Sequence, residues 1–336
     1  MPKVKFGIAG LGTVGSIHLD NIVRYVDKAE VVALADVRVD LVKELAEKYK
    51  IKKVYSDYKE LADDESIDAV IIALPNFLHY DAIKTFIESG KHVFCEKPMA
   101  ITLEQANDIV KIVKESALKF QVGYQRRFDS AYAKAKRLIE DGKIGLPLLA
   151  RSNTRDPEPP VGWEKDPQKS GGIFLTTCTH DFDTLRWLLG AEVRKVYAVG
   201  KFLVYEDLKN LGFYDNVMVL LEFENGVIAE VDASVNCSYG YDVRTEIFGT
   251  KGAIRIEIDK ATGILEFGKN GVVHDYPKWF IDRFLHAYIN EIREFVKAII
   301  NDKDPPVTVE DGRAAVEIAV AAQISASEKV PIRLPL

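Results

Sequence analysis

The chain has 336 residues, 45 of them basic and 51 acidic, which gives a net charge of −6 and a hydrophobic content of 47%. At roughly 150 residues per domain this length favours two domains, and the composition is that of an ordinary globular protein. The mildly acidic charge has no long block of one sign, which argues against nucleic acid as the main partner. No apolar run reaches the ~18 residues needed to span a bilayer, so we expect no membrane span.

The cysteines and the amino terminus bear on the cellular compartment. Cys95, Cys178 and Cys237 are scattered and form no Cys-x-x-Cys pair, which argues against a disulfide framework and a structural metal site. The chain begins MPKVKFGIAG, which enters a strand pattern directly and lacks the apolar core of a signal peptide. We therefore expect a cytoplasmic location, no metal and no membrane partner.

Residues 3–122 alternate short β-branched runs with stretches of helical spacing. The runs predicted as strands are VKFGIAG, EVVALAD, DAVIIAL, KHVFCE and KFQVGY. The stretches predicted as helices are VGSIHLDNIVRYV, VDLVKELAEKYK, FLHYDAIKTFIESG and TLEQANDIVKIVKESA. The last of these begins with a predicted capping box of Thr102 and Gln105. Such alternation predicts a parallel, doubly wound α/β sheet of the Rossmann type over residues 1–123.

A different pattern follows over residues 124–336. Residues 193–276 contain strand-like runs joined by Asn-Gly, Lys-Gly and Lys-Asn-Gly turns, which favour hairpins because Asn and Gly accept positive φ. An extended segment is predicted over residues 146–156, and helices are predicted at Asp129–Glu140, Thr179–Leu189, Phe280–Asn301 and Glu310–Glu328. We therefore predict an α+β domain with a large, mainly antiparallel open sheet and helices on one face. The other face needs a cover, which a second copy of the chain would supply, so we expect a homo-oligomer, either a dimer or a tetramer.

The segment GLGTVG matches the pattern G-x-G-x-x-G between a strand and a helix. In this context Gly10 permits the tight turn, Gly12 lets the backbone approach a pyrophosphate, and Gly15 allows close packing of helix on strand. Asp36 lies about 20 residues farther on, where a carboxylate would bind ribose hydroxyls and repel a 2′-phosphate. The pattern predicts a dinucleotide site that prefers NAD. Arg38 leaves NADP open, because its guanidinium could hold that phosphate or stack on adenine.

Four further motifs extend the match beyond this loop. They are ALPNFLH after the strand DAVIIAL, HVFCEKPMA after the next strand, GYQRRFDSAY at the start of the second domain, and GGIF…HDFD around residue 180. Together with GLGTVG they resemble the glucose–fructose oxidoreductase, inositol dehydrogenase and MocA (Gfo/Idh/MocA) family along nearly the whole chain. The segments RRFDSAY, TRDP and NCSYGYD are most similar to the inositol dehydrogenase branch.

The resemblance implies residues for the cofactor, the substrate and catalysis. The implied cofactor-binding residues are Gly10, Gly12, Thr13, Val14, Gly15, Asp36, Arg38, Leu74, Asn76, His79, Glu96, Lys97 and Gln125. The implied substrate-binding residues are Arg127, Asp156, Thr176 and Tyr241. The implied catalytic pair is Lys97, which would hydrogen-bond the cofactor and the reacting hydroxyl, and His180, which would accept the hydroxyl proton. An imidazole with an ordinary pKa of about 6.5 suits a base near neutral pH.

One position departs from the family pattern. Inositol dehydrogenases usually carry an aspartate four residues before this histidine, and this chain has Thr176 there. A threonine hydroxyl can orient an imidazole but brings no charge to stabilise its protonated form. Three explanations stay open: His180 works with Lys97 alone, another carboxylate substitutes, or the substrate is not myo-inositol. Asp183 shares a helix face with His180, but its counterpart in the family looks structural.

The resemblance implies an NAD-dependent oxidoreductase that oxidises a ring secondary hydroxyl of an inositol or sugar to a ketone by hydride transfer. Two alternatives come from other classes. One is a glycoside hydrolase of the same family that uses tightly held NAD in a transient oxidation, and the other is a non-catalytic NAD-binding redox sensor. The missing aspartate keeps the hydrolase open, whereas the presence of Lys97 and His180 argues against the sensor.

Overall fold

The computed structural model of the chain describes residues 3–257, 260–262, 264–269 and 271–336. The chain forms two compact units. The first contains the chain up to Gln125 together with His286–Val316, and the second contains Arg126–Leu285 together with Glu317–Leu336. Within the described ranges, no helix combines the length and the apolar character that crossing a membrane requires.

The first unit is built on a six-stranded sheet in the order β3-β2-β1-β4-β5-β6, with every neighbouring pair parallel. Its strands are β1 (Val4–Ala9), β2 (Ala29–Ala35), β3 (Lys53–Tyr55), β4 (Ala69–Ile72), β5 (His92–Glu96) and β6 (Phe120–Gly123). Its connecting helices are α1 (Thr13–Tyr25), α2 (Val39–Tyr49), α3 (Tyr58–Ala62), α4 (Asn76–Glu88) and α5 (Leu103–Glu115). This topology confirms the predicted doubly wound Rossmann sheet. The short elements β3 and α3 were not predicted.

The hydroxyl of Thr102 accepts the backbone N–H of Gln105 at 3.2 Å, as a capping residue does. The Gln105 side chain instead accepts the N–H of Ile101, so the predicted capping box is only half formed.

The rest of the chain supplies the second sheet and its helices. Its strands are β7 (Pro147–Arg155), β8 (Val193–Lys201), β9 (Asn216–Phe223), β10 (Ile228–Ser234), β11 (Asp242–Gly249), β12 (Gly252–Ile256), β13 (Glu266–Gly268), β14 (Gly271–Val273) and β15 (Ile332–Arg333). Its helices are α6 (Ser130–Glu140), α7 (Pro167–Ser170), α8 (Gly172–Thr176), α9 (Thr179–Leu189), α10 (Glu206–Leu211), α11 (Phe280–Asn301) and α12 (Val309–Glu328). Short 3₁₀ helices occupy Gln125–Phe128 and Gly162–Lys165. Helix α10 was not predicted.

The second sheet has the order β12-β11-β7-β10-β9-β8-β15. β7 and β10 run parallel, and the other neighbouring strands are antiparallel, which confirms the predicted, mainly antiparallel sheet. Helices α6 and α9 contact this sheet. Burial alternates along β9: Val219 and Leu221 are buried, whereas Met218 and Leu220 are exposed. The sheet therefore has one covered face and one open face.

Helix α11 contributes to the core of the first unit through its second half. Its residues Ile292, Phe295 and Val296 are buried in one apolar cluster with β1 and α1. The ring of Phe295 lies 6.3 Å from that of Phe6 and 5.9 Å from that of Phe94. The sequence predicted that this helix belongs to the second domain, residues 124–336. In the structure its second half packs in the core of the first unit instead.

Candidate active site

The glycine loop is shaped by close backbone contacts. Gly10 has a φ of +90°, and a Cβ there would lie 2.4 Å from the carbonyl oxygen of Ala73. A Cβ on Gly15 would lie 1.9 Å from the carbonyl oxygen of Gly10, so helix and strand meet at van der Waals distance. A Cβ on Gly12 would meet nothing within 4 Å. Gly12 is the N-cap residue of α1 and has no side chain that could bond the N–H groups of the first turn. The loop therefore presents backbone N–H groups of the helix start to open space.

Asp36 follows β2 and is held by hydrogen bonds. Its Oδ2 accepts the N–H of Leu11 at 2.7 Å, which ties it to the glycine loop. The guanidinium of Arg38 donates two hydrogen bonds to the same carboxylate, from Nε to Oδ1 at 2.9 Å and from Nη2 to Oδ2 at 2.8 Å. Burial alone raises the pKa of Asp36, but the bonds from Arg38 and Leu11 and the charge of Arg38 outweigh it and lower the pKa to about 2. Asp36 is thus ionised at neutral pH, and Arg38 is paired with it.

Lys97 lies at the carboxyl end of β5, where doubly wound sheets bind ligands. It is half-buried, and its peptide bond to Pro98 is cis. The ring nitrogens of His79 lie 2.8 Å from the carbonyl oxygen of Pro98 and 2.7 Å from that of Leu74. His79 therefore links the loops that follow β4 and β5. Glu96, just before the lysine, is buried and bonds to His18 at 2.7 Å.

The remaining predicted cofactor residues also belong to the first unit. Asn76 is buried at the first residue of α4, and Gln125 is buried after β6. The side-chain oxygen of Gln125 has no hydrogen-bond partner within the described part of the chain, so it can accept a bond from a ligand. Thr13 is exposed, and Val14 and Leu74 are half-buried.

His180 is buried in the first turn of α9. The next residue, Asp181, is fully buried and accepts three hydrogen bonds. They come from Arg126 at 2.8 Å, from the hydroxyl of Ser152 at 2.6 Å and from the hydroxyl of Thr154 at 2.7 Å. These bonds join the start of α9 to β7 and to the 3₁₀ helix Gln125–Phe128, and so they fix the helical turn that carries His180.

Arg127 lies in a second buried ion pair. Its Nε donates to Asp183 at 2.9 Å and its Nη2 donates to the other carboxylate oxygen at 2.5 Å. The guanidinium also lies over the ring of Trp187, 5.9 Å from its centroid. This geometry gives Asp183 a structural partner. Substrate binding by Arg127 stays a prediction.

Three other predicted substrate residues also lie in the second unit. Asp156 is half-buried, and one of its oxygens accepts the hydroxyl of Thr177 at 3.4 Å. The hydroxyl of Thr176 donates to the carbonyl of Gly172 at 3.0 Å, inside its own helix α8. Tyr241 is buried; desolvation raises its pKa despite nearby Arg126, so its phenol is neutral and can donate.

The predicted residues thus form two sets. In the first unit, the glycine loop, Asp36 and the turns containing Leu74 and Lys97 follow four neighbouring strands at one edge of the parallel sheet. In the second unit, Asp156 and Asp181 both act electrostatically on Tyr241, so these groups lie near one another.

Sequence reasoning missed the buried ionisable residues that support these sets. They are His18, Glu291, Arg126 and Asp181. Their signal in the sequence is weak, because charged residues are usually exposed. For Arg126 and Asp181 the available hint was that each lies in a short run that places ionisable residues beside a phenylalanine, RRFD and HDFD.

Comparison with known proteins identifies the family. Residues 4–124 match the oxidoreductase family with an NAD-binding Rossmann fold, and residues 132–255 match the Gfo/Idh/MocA C-terminal domain. The chain belongs to the Gfo/Idh/MocA oxidoreductase family.

Individual relatives of this Gfo/Idh/MocA protein match over nearly their whole length. It is 35% identical to the myo-inositol 2-dehydrogenase of Thermotoga maritima, over 98% of each chain. It is 36% identical to the scyllo-inositol 2-dehydrogenase (NAD(+)) of Bacillus subtilis, over 99% of this chain and 96% of that one. The crystal structure of scyllo-inositol dehydrogenase from Lactobacillus casei, with NAD(H) and scyllo-inositol bound, superposes with a TM-score of 0.92. That match has 32% identity and covers 98% of this chain and 99% of the other.

The first unit of this Gfo/Idh/MocA chain fits NAD. Open space at Gly12 leaves room for a pyrophosphate beside the N–H groups of α1, and the helix dipole favours a negative charge there. The ionised Asp36 is an acceptor for ribose hydroxyls. Gln125 adds a buried acceptor. These residues would hold the cofactor.

Alanine substitutions at two glycines of this loop should separate folding from cofactor binding. Gly12→Ala should change the free energy of unfolding by less than about 0.5 kcal/mol, because its Cβ meets open space. It should still weaken NAD binding roughly tenfold or more, since that space is where the pyrophosphate would lie. Gly15→Ala should cost about 2–3 kcal/mol of stability, because its Cβ meets the carbonyl of Gly10. Chemical denaturation and NAD titration measure both effects; equal stability of the two variants would contradict this description of the loop.

Cofactor choice should depend on Asp36. Asp36→Ala removes the acceptor for the ribose hydroxyls and leaves Arg38 without its carboxylate partner, so Arg38 can pair with a 2′-phosphate. We expect the ratio of kcat/KM for NADP to that for NAD to rise by about 10²-fold. Asp40→Ala, an exposed acidic residue at the start of α2, is the matched control. An unchanged ratio would mean that Asp36 does not select the cofactor.

Proposed function

We propose that this chain is an NAD-dependent dehydrogenase that oxidises a ring secondary hydroxyl of an inositol to a ketone. The proposal rests on two features that occur together in this chain, its overall similarity to inositol dehydrogenases and its two candidate catalytic residues. It is 32–36% identical over nearly its full length to inositol dehydrogenases, and it retains Lys97 after β5 and His180 at the start of α9.

The proposed roles follow from the chemistry of the two side chains. When bound, NAD accepts the hydride that leaves the carbinol carbon. The ammonium of Lys97 would donate a hydrogen bond to the reacting hydroxyl oxygen and stabilise the negative charge that grows there. The imidazole of His180 would accept the hydroxyl proton as the C–H bond breaks. Removing that proton is required because a protonated ketone is a poor product.

The second unit offers groups suited to a polyol. The carboxylate of Asp156 accepts hydrogen bonds from hydroxyls, and the neutral phenol of Tyr241 both donates and accepts. Thr176 stands where inositol dehydrogenases usually carry an aspartate, and its hydroxyl is already bonded to Gly172. We propose that this exchange tunes which inositol is preferred and leaves the reaction class unchanged, because Lys97 and His180 are retained.

We also propose that the protein is a cytoplasmic homo-oligomer, a dimer or a tetramer. Its cysteines are free and buried, as expected of a protein from a reducing compartment. The open face of the second sheet carries exposed Tyr197, Met218 and Leu220 on neighbouring strands. A second copy would bury this apolar patch. Light scattering after size-exclusion chromatography tests the oligomer, and a monomer at micromolar concentration would contradict it.

The test of function is NADH formation by the purified protein. Myo-, scyllo- and D-chiro-inositol, together with common aldoses, are each incubated with NAD, and NADH is followed by its absorbance. We expect NADH to accumulate with at least one inositol, in proportion to the ketone formed. Cleavage of an aryl glycoside with no net NADH would identify a hydrolase instead. NAD binding without turnover of either substrate class would overturn the proposal.

A further inference from the structure

A buried polar cluster lies behind the turn that carries Lys97. It consists of His18 on α1, Glu96 at the end of β5 and Glu291 on α11, all in the first unit. One potential ligand atom from each of the three residues lies within 4.8 Å of the other two. None of the proposed roles above uses His18 or Glu291.

Glu96 connects this cluster to Lys97. Its Oε1 is 2.7 Å from Nε2 of His18, and the side chains are 8% and 0% exposed. Its Oε2 accepts the backbone N–H of Lys97 at 3.3 Å. A Cβ on Gly123 would lie only 3.0 Å from this carboxylate, so β6 confines it from the other side. The position of the Glu96 carboxylate therefore affects the peptide that leads into Lys97.

Glu291 brings a second carboxyl group into the same buried cluster. Its exposure is 0%, and neither carboxyl oxygen has a hydrogen-bond partner among the residues that the structure describes. The side chain of Gln121 donates to its backbone carbonyl at 3.1 Å, which holds this turn of α11 in place. Nδ1 of His18 is also without a partner in the described ranges, and the rings of Phe94 and Tyr288 flank that imidazole edge-on.

Electrostatics allows one ionised carboxylate here more readily than two. Burial and the charge of Glu96 both raise the pKa of Glu291 well above its usual range. Among the described residues, His18 from α1 and Glu96 from β5 are the ionisable groups within 4.8 Å of its carboxyl group, and the neutral Gln121 of β6 bonds its backbone carbonyl. Glu96 and Lys97 both act electrostatically on His79. Two carboxyl groups in such a site share their protons unequally, and the one without hydrogen bonds keeps its proton.

A metal ion fits this cluster less well. The 2.7 Å between Nε2 of His18 and Oε1 of Glu96 is the distance of a charge-assisted hydrogen bond. Two ligands of one tetrahedral zinc ion, each about 2.0–2.1 Å from the metal, stand roughly 3.3 Å apart. The geometry therefore favours a proton shared between histidine and carboxylate.

We propose that Glu291 is a positioning residue that stays protonated at neutral pH, so that Glu96 alone carries the cluster's negative charge and keeps its bonds to His18 and to the amide of Lys97. The part of the inference that concerns catalysis rests on the proposed function of Lys97. The protonation state of Glu291 is independent of that proposed function.

Infrared spectroscopy of the protein without substrate or cofactor tests the protonation state. A neutral carboxylic acid has a carbonyl stretch that ionised carboxylates lack. The wild-type protein and Glu294→Gln should show this band, and Glu291→Gln should lack it. Glu294 is the matched control, because it lies on the same helix in an exposed pair with Lys297. Identical spectra of wild type and Glu291→Gln would overturn the proposal, as would a stoichiometric divalent metal that is lost with this substitution.

Kinetics tests the positioning role. Glu291→Gln and Glu291→Leu both leave an uncharged side chain beside Glu96, so kcat of both variants should stay within about threefold of wild type near neutral pH. At alkaline pH, where Glu291 of the wild type ionises, both variants should retain activity that the wild type loses, with little change in KM for NAD. A tenfold loss of kcat in Glu291→Gln near neutral pH, or an alkaline loss of activity in both variants equal to that of the wild type, would contradict positioning. If no inositol is oxidised at all, the proposed function fails while the infrared result still stands.

Discussion

Lys97→Ala should lower kcat with inositol by about 10³-fold while leaving the fold intact. The side chain is half-buried at the carboxyl end of β5. Its backbone N–H donates to Glu96 and the carbonyl of the next residue, Pro98, is bonded to His79, so removal of the ammonium leaves the turn in place. What is lost is the positive charge that stabilises the oxygen of the reacting hydroxyl. NADH formation at saturating NAD and inositol measures the effect.

Two comparisons make the Lys97 result specific. Lys114→Ala removes an exposed lysine of the same unit that pairs with Glu310, and it should leave kcat unchanged. NAD affinity, measured by titration, should fall much less than kcat in Lys97→Ala. A variant with undiminished turnover would remove Lys97 from the mechanism, and a loss confined to NAD affinity would make it a cofactor residue only.

His180→Asn should lower kcat by about 10²- to 10⁴-fold, because an amide can hydrogen-bond the hydroxyl but cannot take its proton. The rate of the wild type should rise with pH as its base deprotonates, and the variant should lose this limb of the profile. Asp181 and its three hydrogen bonds remain in the variant, so α9 keeps its position. The pH–rate profile at saturating substrate is the measurement.

The control for His180 is His286→Asn, an exposed histidine outside the predicted site. It should retain both the rate and the pH profile. A His180→Asn enzyme that keeps the rising limb would show that another group accepts the proton. Asp156 would then be the first candidate, because it is an ionisable group near Tyr241 in the same unit.

Long elements with a clear period could be predicted from the sequence almost to the residue. The predicted bounds of α9 and α11, Thr179–Leu189 and Phe280–Asn301, are those of the structure. Elements of three to six residues such as β3, α3 and α10 escaped prediction, because so few residues show no period. The packing of Phe295 against Phe6 also escaped it, since a helix's pattern does not say which sheet it will cover.

In the candidate site, too, features set by neighbouring residues could be predicted, whereas contacts between side chains could not. The glycine loop could be predicted because a strand–turn–helix of this kind requires glycine at Gly10 and Gly15 for steric reasons, and at Gly12 to leave space for a ligand. The pairing of Arg38 with Asp36 could not, because the sequence equally allowed the guanidinium to face a phosphate or adenine. Glu291 sits in the run EIREFV, which reads as a solvated acidic residue on an amphipathic helix. In the structure it is buried beside His18 and Glu96, which lie far away in the chain.

The proposed reaction is tested most directly by following the hydrogen that moves. An inositol carrying deuterium on the ring carbon that is oxidised is incubated with NAD and the enzyme, and both products are analysed by mass spectrometry. We expect one deuterium on the nicotinamide for each inosose formed. A ketone without label on the cofactor, or recovery of both reactants unchanged across the inositol isomers, would contradict it.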